Sequence, residues 1–227
     1  MTGAMDADGL AGWALGTLAA AYGALPAWWP AETSFEVCVG AILVQNTTWL
    51  QTERAIVRLK AAAALTPDAL LALPPGELEE LVRPSGTYRQ KARRLITFCD
   101  HLVTRWGGDL GAMCAQPTER LRAELQGIWG IGEETADSIA LFAGRHPVVI
   151  VDAYTTRITR RLGLVAESGT HTAVRNAFAG VLPPDAAGMQ EVHARFVMHA
   201  KTFCRATPRC AGCPLAPRCA YPKEHIA

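Results

Sequence analysis

A chain of 227 residues, half of them hydrophobic and 19% charged, can bury a sizeable core as one large or two small domains, which excludes extended disorder. A formal net charge of +1 makes no global case for a nucleic-acid partner, but the charge is unevenly placed: residues 1–33 carry Asp6, Asp8 and Glu32 without a Lys or Arg, while residues 152–227 carry ten Lys and Arg against five Asp and Glu. That basic C-terminal third suits a phosphate-binding face, and equally an ordinary solvated surface.

The first predicted element is a buried helix in the uncharged stretch Gly9–Ala31, followed by a turn at Leu25–Pro30. Ala and Gly dominate the stretch and Pro26 and Pro30 interrupt it, so a membrane span is not expected. No basic region precedes it, so neither is a signal peptide, and a cytoplasmic protein is the expectation. Helical spacing follows at Val37, Ile42 and Val44 before Gln45, then at Ala92, Leu95 and Ile96, then at Ile139, Leu141 and Phe142. Breakers separate these segments: Pro67, Pro74-Pro75-Gly76, Pro84-Ser85-Gly86, Trp106-Gly107-Gly108, Pro117 and Pro183-Pro184. No alternating run is long enough for a strand, although Pro147–Val151 is a short apolar run that could be extended. The expected fold class is all-α, with eight to eleven short helices and no internal repeat.

Three constellations carry chemistry. In Gly127-Ile128-Trp129-Gly130-Ile131-Gly132-Glu133-Glu134-Thr135-Ala136, two glycines flank one apolar residue between two helical patterns, the second running from Thr135 to Ala143. Glycine permits positive φ and close backbone approach, and amides opening the second helix would face an anion. An ordinary tight turn is the alternative for the glycines alone. In Val148-Val149-Ile150-Val151-Asp152, a single carboxylate ends an apolar run, 18 residues after Glu134. Aspartate there serves as a helix N-cap. The same group can also stabilise developing positive charge and help activate water. The third is Cys204-x5-Cys210-x2-Cys213-x5-Cys219, four of the seven cysteines within sixteen residues. Such clustering in a cytosolic chain points to a metal centre rather than disulfides. Structural four-cysteine zinc sites usually show two close pairs, whereas iron–sulfur clusters take four cysteines at varied spacing. The remaining Cys38, Cys99 and Cys114 are expected to be core thiols.

Taken in order from about Phe35 to Cys219, these features resemble the endonuclease III family of helix-hairpin-helix (HhH-GPD) DNA glycosylases. Gly130-Ile131-Gly132-Glu133-Glu134-Thr135-Ala136 resembles the hairpin, Val151-Asp152 the segment with the catalytic aspartate, and Glu191-Val192-His193 through His199-Ala200-Lys201 the approach to the [4Fe–4S] loop. Gly86-Thr87-Tyr88-Arg89-Gln90-Lys91-Ala92 is similar to a family loop that faces DNA, and Gln45 stands where the family has a glutamine that enters the duplex beside the flipped base. The resemblance implies two helical lobes with DNA between them: a six-helix barrel at residues 34–146 and a cluster lobe from residues 1–33 and 147–227. It implies a monomer acting on double-stranded DNA, with the damaged base flipped out because its glycosidic bond is inaccessible in the stack. Asp152 and Glu134 would be the catalytic positions. Gly130, Gly132, Thr135, Lys201, Arg205 and Arg209 would meet phosphates, and Cys204, Cys210, Cys213 and Cys219 would hold a [4Fe–4S] cluster, with zinc the alternative.

Three departures from the family pattern matter. Bifunctional members carry a lysine where this chain has Glu134, and a carboxylate cannot form the imine that leads to strand cleavage. A monofunctional glycosylase is therefore expected, in which Asp152 promotes attack by water; Glu134 is either catalytic or a surface residue of the hairpin. The usual bulky apolar wedge is replaced by Thr87, and the first cysteine gap has five residues instead of the usual six. Trp28-Trp29-Pro30 and Gln45-Asn46-Thr47-Thr48-Trp49 resemble the branch that includes 3-methyladenine glycosylases, which also has a glutamate at the Glu134 position. Aromatic faces at Trp28, Trp29 and Trp49 suit an electron-poor alkylated purine; packing is the alternative for Trp28 and Trp29. Alkylated purine is the leading substrate expectation and oxidised pyrimidine the next. A lyase that uses Lys91 or Lys201, and a scaffold that binds damaged DNA without cutting, are the rival readings.

Overall fold

Prolines, glycines and capping oxygens set most helix boundaries among the described residues, and helices account for all of the regular structure there. The computed structural model describes residues 7–25 and 28–221, among which there is no strand. Twelve α-helices occur among the described residues, one more than the upper expectation, because several are very short. No helix among them is long and apolar enough to cross a membrane. The chain divides into two compact units, Trp29–Val148 and a second made of Met1–Trp28 with Val149–Ala227.

The continuous unit begins at α2 (Ser34–Leu43). Thr33 caps it, its Oγ1 accepting the Glu36 N–H at 3.1 Å, while Glu36 Oε2 accepts the Glu32 N–H at 3.0 Å. This is a reciprocal arrangement close to a capping box. From Phe35 to Leu43 every residue is buried, so α2 is the central helix, packed on all sides rather than on one stripe. Helices α3 (Trp49–Ala61) and α6 (Tyr88–Trp106) pack against it, and α4 (Pro67–Ala72) and α5 (Pro75–Val82) pack in turn against α6. Helix α6 buries Ala92, Leu95, Phe98, Cys99 and Leu102, the three- and four-residue spacing of an amphipathic helix. It ends at Gly107 in the left-handed region (φ 60°), whose N–H returns to the carbonyl of Val103. Then come α7 (Leu110–Cys114), α8 (Thr118–Gln126) and α9 (Glu133–Ser138), with α9 running on into a π-helical turn at Ile139–Ala143. The single helix expected from Thr135 to Ala143 is thus two helical forms in series. Arg122 of α8 pairs with buried Asp137 of α9 at 2.5 Å and with Glu119 at 2.8 Å. Breaking such a buried pair by removing one partner typically costs about 3–5 kcal/mol, so the two hairpin helices are firmly joined.

The other unit contains α1 (Ala7–Tyr22), α10 (Ala153–Leu162), α11 (His171–Asn176) and α12 (Ala186–Thr202). Its core gathers Ala11, Ala14 and Leu18 of α1 with Ile158, Leu162, Phe178, Val192 and Phe196. The expected buried N-terminal helix is buried along the face of Ala11, Ala14 and Leu18, while residues such as Gly16 and Ala20 are exposed: its apolar composition comes from small residues that need little cover. Of the turn expected at Leu25–Pro30, residues 26 and 27 lie outside the described residues. The run Val148–Val151 is buried irregular backbone, with Val149 and Val151 packed on Val174.

Candidate functional site

The α8–α9 hairpin turns at Gly130, whose φ of +87° lies in the left-handed region that glycine adopts at least cost. A methyl group on Gly130 would also overlap the side chain of Arg94. Gly132, by contrast, is the extended N-cap of α9 (φ −89°, ψ 179°) with open space where a Cβ would point. Only the first of the two glycines is conformationally required. Thr135 is buried, while Glu133 and Glu134 are exposed in the first turn of α9. Trp129 at the turn is 47% exposed and carries the Arg93 guanidinium 4.3 Å above its ring.

Gln45, just beyond α2, is tied to this hairpin. Its Nε2 donates to the Gly130 carbonyl at 3.1 Å and to Thr135 Oγ1 at 2.8 Å, and its Oε1 accepts from Arg94 Nη1. The sequence placed Gln45 and the hairpin in one family pattern but gave no sign of Arg94.

In the same unit, Trp29 packs edge-on against Trp49, with ring centroids 5.3 Å apart, and against Phe142 at 5.0 Å. A Cβ on Gly40 would fall 3.2 Å from the Trp29 ring, so that glycine leaves the indole its place. Trp29 Nε1 is buried without a hydrogen-bond partner. Trp28 takes a different role: the Lys201 ammonium lies 5.9 Å from its ring. The two adjacent tryptophans thus differ in their neighbours.

The loop residue Thr87 is exposed and left-handed (φ 41°), next to Gly86 at φ 69°. Behind it Lys91 is buried, and its Nζ donates to the carbonyl of Ser85. Burial, with a smaller contribution from Arg94, lowers its pKa to about 8. Lys91 therefore supports this loop from inside and is not presented as a surface amine.

Asp152 is the N-cap of α10, its Oδ1 accepting the Thr155 N–H at 2.6 Å. It is buried to 9% exposure. Below it Thr155 Oγ1 donates to the Ile150 carbonyl and Thr159 Oγ1 to the Thr155 carbonyl, which fixes the start of the helix. The imidazole of His193, on α12, feels the Asp152 charge, which raises its pKa; burial acts more strongly and lowers it overall. From sequence, His193 reads as a packing or hydrogen-bonding residue, and the influence of the Asp152 charge on it emerges only in the folded chain. Tyr154 carries the Arg157 guanidinium 5.3 Å from its ring.

Cys204, Cys210, Cys213 and Cys219 line one cavity, otherwise walled by groups such as Ile158, Leu162, Phe203 and Leu215. Two arginines of α10 pin the loop. Arg157 Nε donates to the Cys204 carbonyl at 2.8 Å. Arg161 donates to the carbonyls of Arg205 (2.6 Å) and Ala206 (2.9 Å) and approaches Cys204 Sγ at 3.4 Å. These two arginines were not found from sequence, because their partners are more than forty residues away. Lys201, Arg205 and Arg209 are exposed around the loop. Burial pushes the Cys213 and Cys219 thiols up, and holds His199, 3.7 Å from Cys213 Sγ, down to about 4. Among the described residues, no three His, Cys, Asp or Glu side chains are gathered closely enough to hold a single metal ion.

Residues 39–184 match the family model described as the HhH-GPD superfamily base excision DNA repair protein. The chain is 43% identical over 193 residues to a Methanocaldococcus jannaschii protein provisionally named a DNA repair glycosylase, covering 85% of this chain and 88% of the relative. It is 30% identical over 188 residues to the endonuclease III of Thermotoga maritima, covering 82% and 83%. Among solved structures, a trapped endonuclease III–DNA covalent intermediate superposes with a TM-score of 0.82 at 25% identity, covering 95% and 96% of the two chains. A 3-methyladenine DNA glycosylase of H. pylori bound to 1,N6-ethenoadenine superposes with a TM-score of 0.70 at 26% identity, covering 87% and 98%.

Proposed function

The chain belongs to the HhH-GPD superfamily of base excision DNA repair proteins, and we propose that within it this DNA glycosylase is monofunctional. It binds double-stranded DNA as a monomer, flips a damaged base and hydrolyses its N-glycosidic bond. Asp152 stabilises the positive charge that develops on the sugar and helps orient the attacking water. The observation that carries this reading is Glu134: at the hairpin position where bifunctional relatives carry a nucleophilic lysine, this chain has an exposed carboxylate. A carboxylate cannot form a Schiff base. Of the two lysines considered as substitutes, Lys91 and Lys201, Lys91 is buried on the Ser85 carbonyl, which weighs against it.

Alkylated purine is the favoured substrate class. The packed Trp29, Trp49 and Phe142 rings support it, because aromatic faces attract an electron-poor or cationic base. The H. pylori 3-methyladenine glycosylase among the structural neighbours supports the same reading.

The four cysteines around one cavity fit a [4Fe–4S] cluster, which takes four thiolate ligands. When bound, the cluster would cross-link the loop that bears Arg205 and Arg209 and follows Lys201. Arg157 and Arg161 hold that loop to α10, leaving the exposed cations to meet phosphates.

The test is base release from duplexes that each carry one lesion: an alkylated purine, an oxidised pyrimidine or a bare abasic site. Strand breaks that appear only after alkali, with the alkylated purine responding best, are expected. Breaks without alkali would overturn the monofunctional reading. Binding without release from any lesion would point to a non-cutting damage binder.

A further inference from the structure

The Gln45 amide is fully engaged by the protein on its nitrogen side: both Nε2 protons are used, one on the Gly130 carbonyl and one on Thr135 Oγ1. Its oxygen takes a charge-assisted bond from Arg94 Nη1. Arg94 reaches this position from α6 by laying its stem across the space that a Cβ on Gly130 would fill. Its Nε is buried there without a hydrogen-bond partner, and its guanidinium meets no carboxylate among the described residues. A half-buried cation that packs under a turn and spends its bond on a neutral amide is poorly explained as a surface charge. Its geometry is that of a strut between the turn and the glutamine.

We propose that Arg94 is a positioning residue that locks the Gln45 side chain to the hairpin turn, so that the glutamine and the hairpin meet DNA as one preset unit. A free glutamine loses rotamer entropy when it is ordered. Here that ordering precedes DNA binding, which strengthens the complex without any contact between Arg94 and the nucleic acid. The inference rests on the reading that Gln45 enters the duplex. It does not depend on which bond the enzyme breaks.

The experiment measures the affinity of the full chain for a duplex containing a tetrahydrofuran abasic analogue, which requires no excision, at several salt concentrations. Wild type is compared with Gln45→Ala, Arg94→Met, Arg94→Lys and the Gln45→Ala/Arg94→Met double variant. Methionine keeps the stem that packs on Gly130 and removes the donor. Each of Gln45→Ala and Arg94→Met is expected to weaken binding about tenfold, the typical effect of losing a hydrogen bond to a charged group. The double variant should bind no more weakly than Gln45→Ala alone, because both changes remove the same interaction. The salt dependence of Arg94→Met should match wild type, and Arg94→Lys, which retains a charged donor, should recover part of the affinity. Additive losses with a salt slope lower by about one would make Arg94 a direct phosphate contact and overturn the proposal. Wild-type binding by Arg94→Met would overturn it as well. Wild-type binding by Gln45→Ala would overturn it together with the reading of Gln45, and would leave the excision chemistry untouched.

Discussion

Asp152 Oδ1 accepts the backbone N–H of Thr155 at 2.6 Å, so the carboxylate proposed for catalysis also starts helix α10. The two roles separate by substitution. Asparagine caps as well as aspartate but carries no charge. Asp152→Asn is therefore expected to keep the thermal midpoint and DNA affinity while single-turnover base release falls at least about 10²-fold, in line with the loss of a preorganised electrostatic group. Asp152→Ala should lose activity and also about 1 kcal/mol of stability. Unchanged release by the asparagine variant would leave Asp152 a cap and nothing more.

Trp29 offers a similar separation. Its indole is held between Trp49 and Phe142, with Nε1 buried and unpaired. Trp29→Phe removes that unpaired donor and keeps a ring, so stability should change little and release of alkylated purines should persist. Trp29→Ala empties the site, which costs about 3–5 kcal/mol where the ring is well packed, and should abolish that release. Alkylpurine excision by a folded Trp29→Ala enzyme would make the tryptophan a packing residue only.

Lys91 makes stability depend on alkaline pH. Its folded pKa of about 8 lies below the ordinary 10.5 because the ammonium is buried, with Arg94 adding repulsion. Below about pH 8 the lysine is charged in both states and its burial penalty is present in full. Between the two values the unfolded chain holds a proton that the folded chain has released, so stability rises with pH. The midpoint of wild type relative to Lys91→Met should accordingly shift in favour of wild type as pH rises from 8 towards 10. A flat or falling difference in thermal melts would show that the ammonium is not desolvated.

The cysteine cavity predicts composition and colour. The purified protein should be brown and contain four irons and four sulfides per chain. Cys219→Ser should lose the visible absorption and unfold at lower temperature, since the residue lines the cavity and its Sγ lies 3.1 Å from the Arg161 carbonyl. A colourless wild-type protein with one zinc per chain would contradict the cluster.

The sequence revealed local features well and long-range partnerships poorly. Asp152 before an amphipathic run, Gly130 between two helices and four spaced cysteines are each recognisable within a short window, because their chemistry is local. Arg94, 49 residues from Gln45, and Arg161, 43 residues from Cys204, meet their partners only after folding. No window contains both members of either pair. Helices α4 and α7, of six and five residues, are too short to express a 3.6-residue period, which is why the helix count exceeded expectation. The π-helical turn at Ile139–Ala143 leaves the same apolar pattern as an α-helix, so composition could not distinguish them. Lys91 sits in sequence among Arg89, Gln90, Arg93 and Arg94, and only the packing of α6 shows it buried.

The central claim, hydrolysis without a covalent enzyme–DNA intermediate, is tested most directly by borohydride trapping. Wild-type protein would be incubated with its responding lesion duplex under single-turnover conditions with borohydride present, and the base released would be measured in parallel. Full base release with no trapped protein–DNA adduct is the predicted result, because neither Asp152 nor Glu134 can form a reducible imine. A trapped adduct in yield comparable to the base released would contradict the account and require an amine nucleophile.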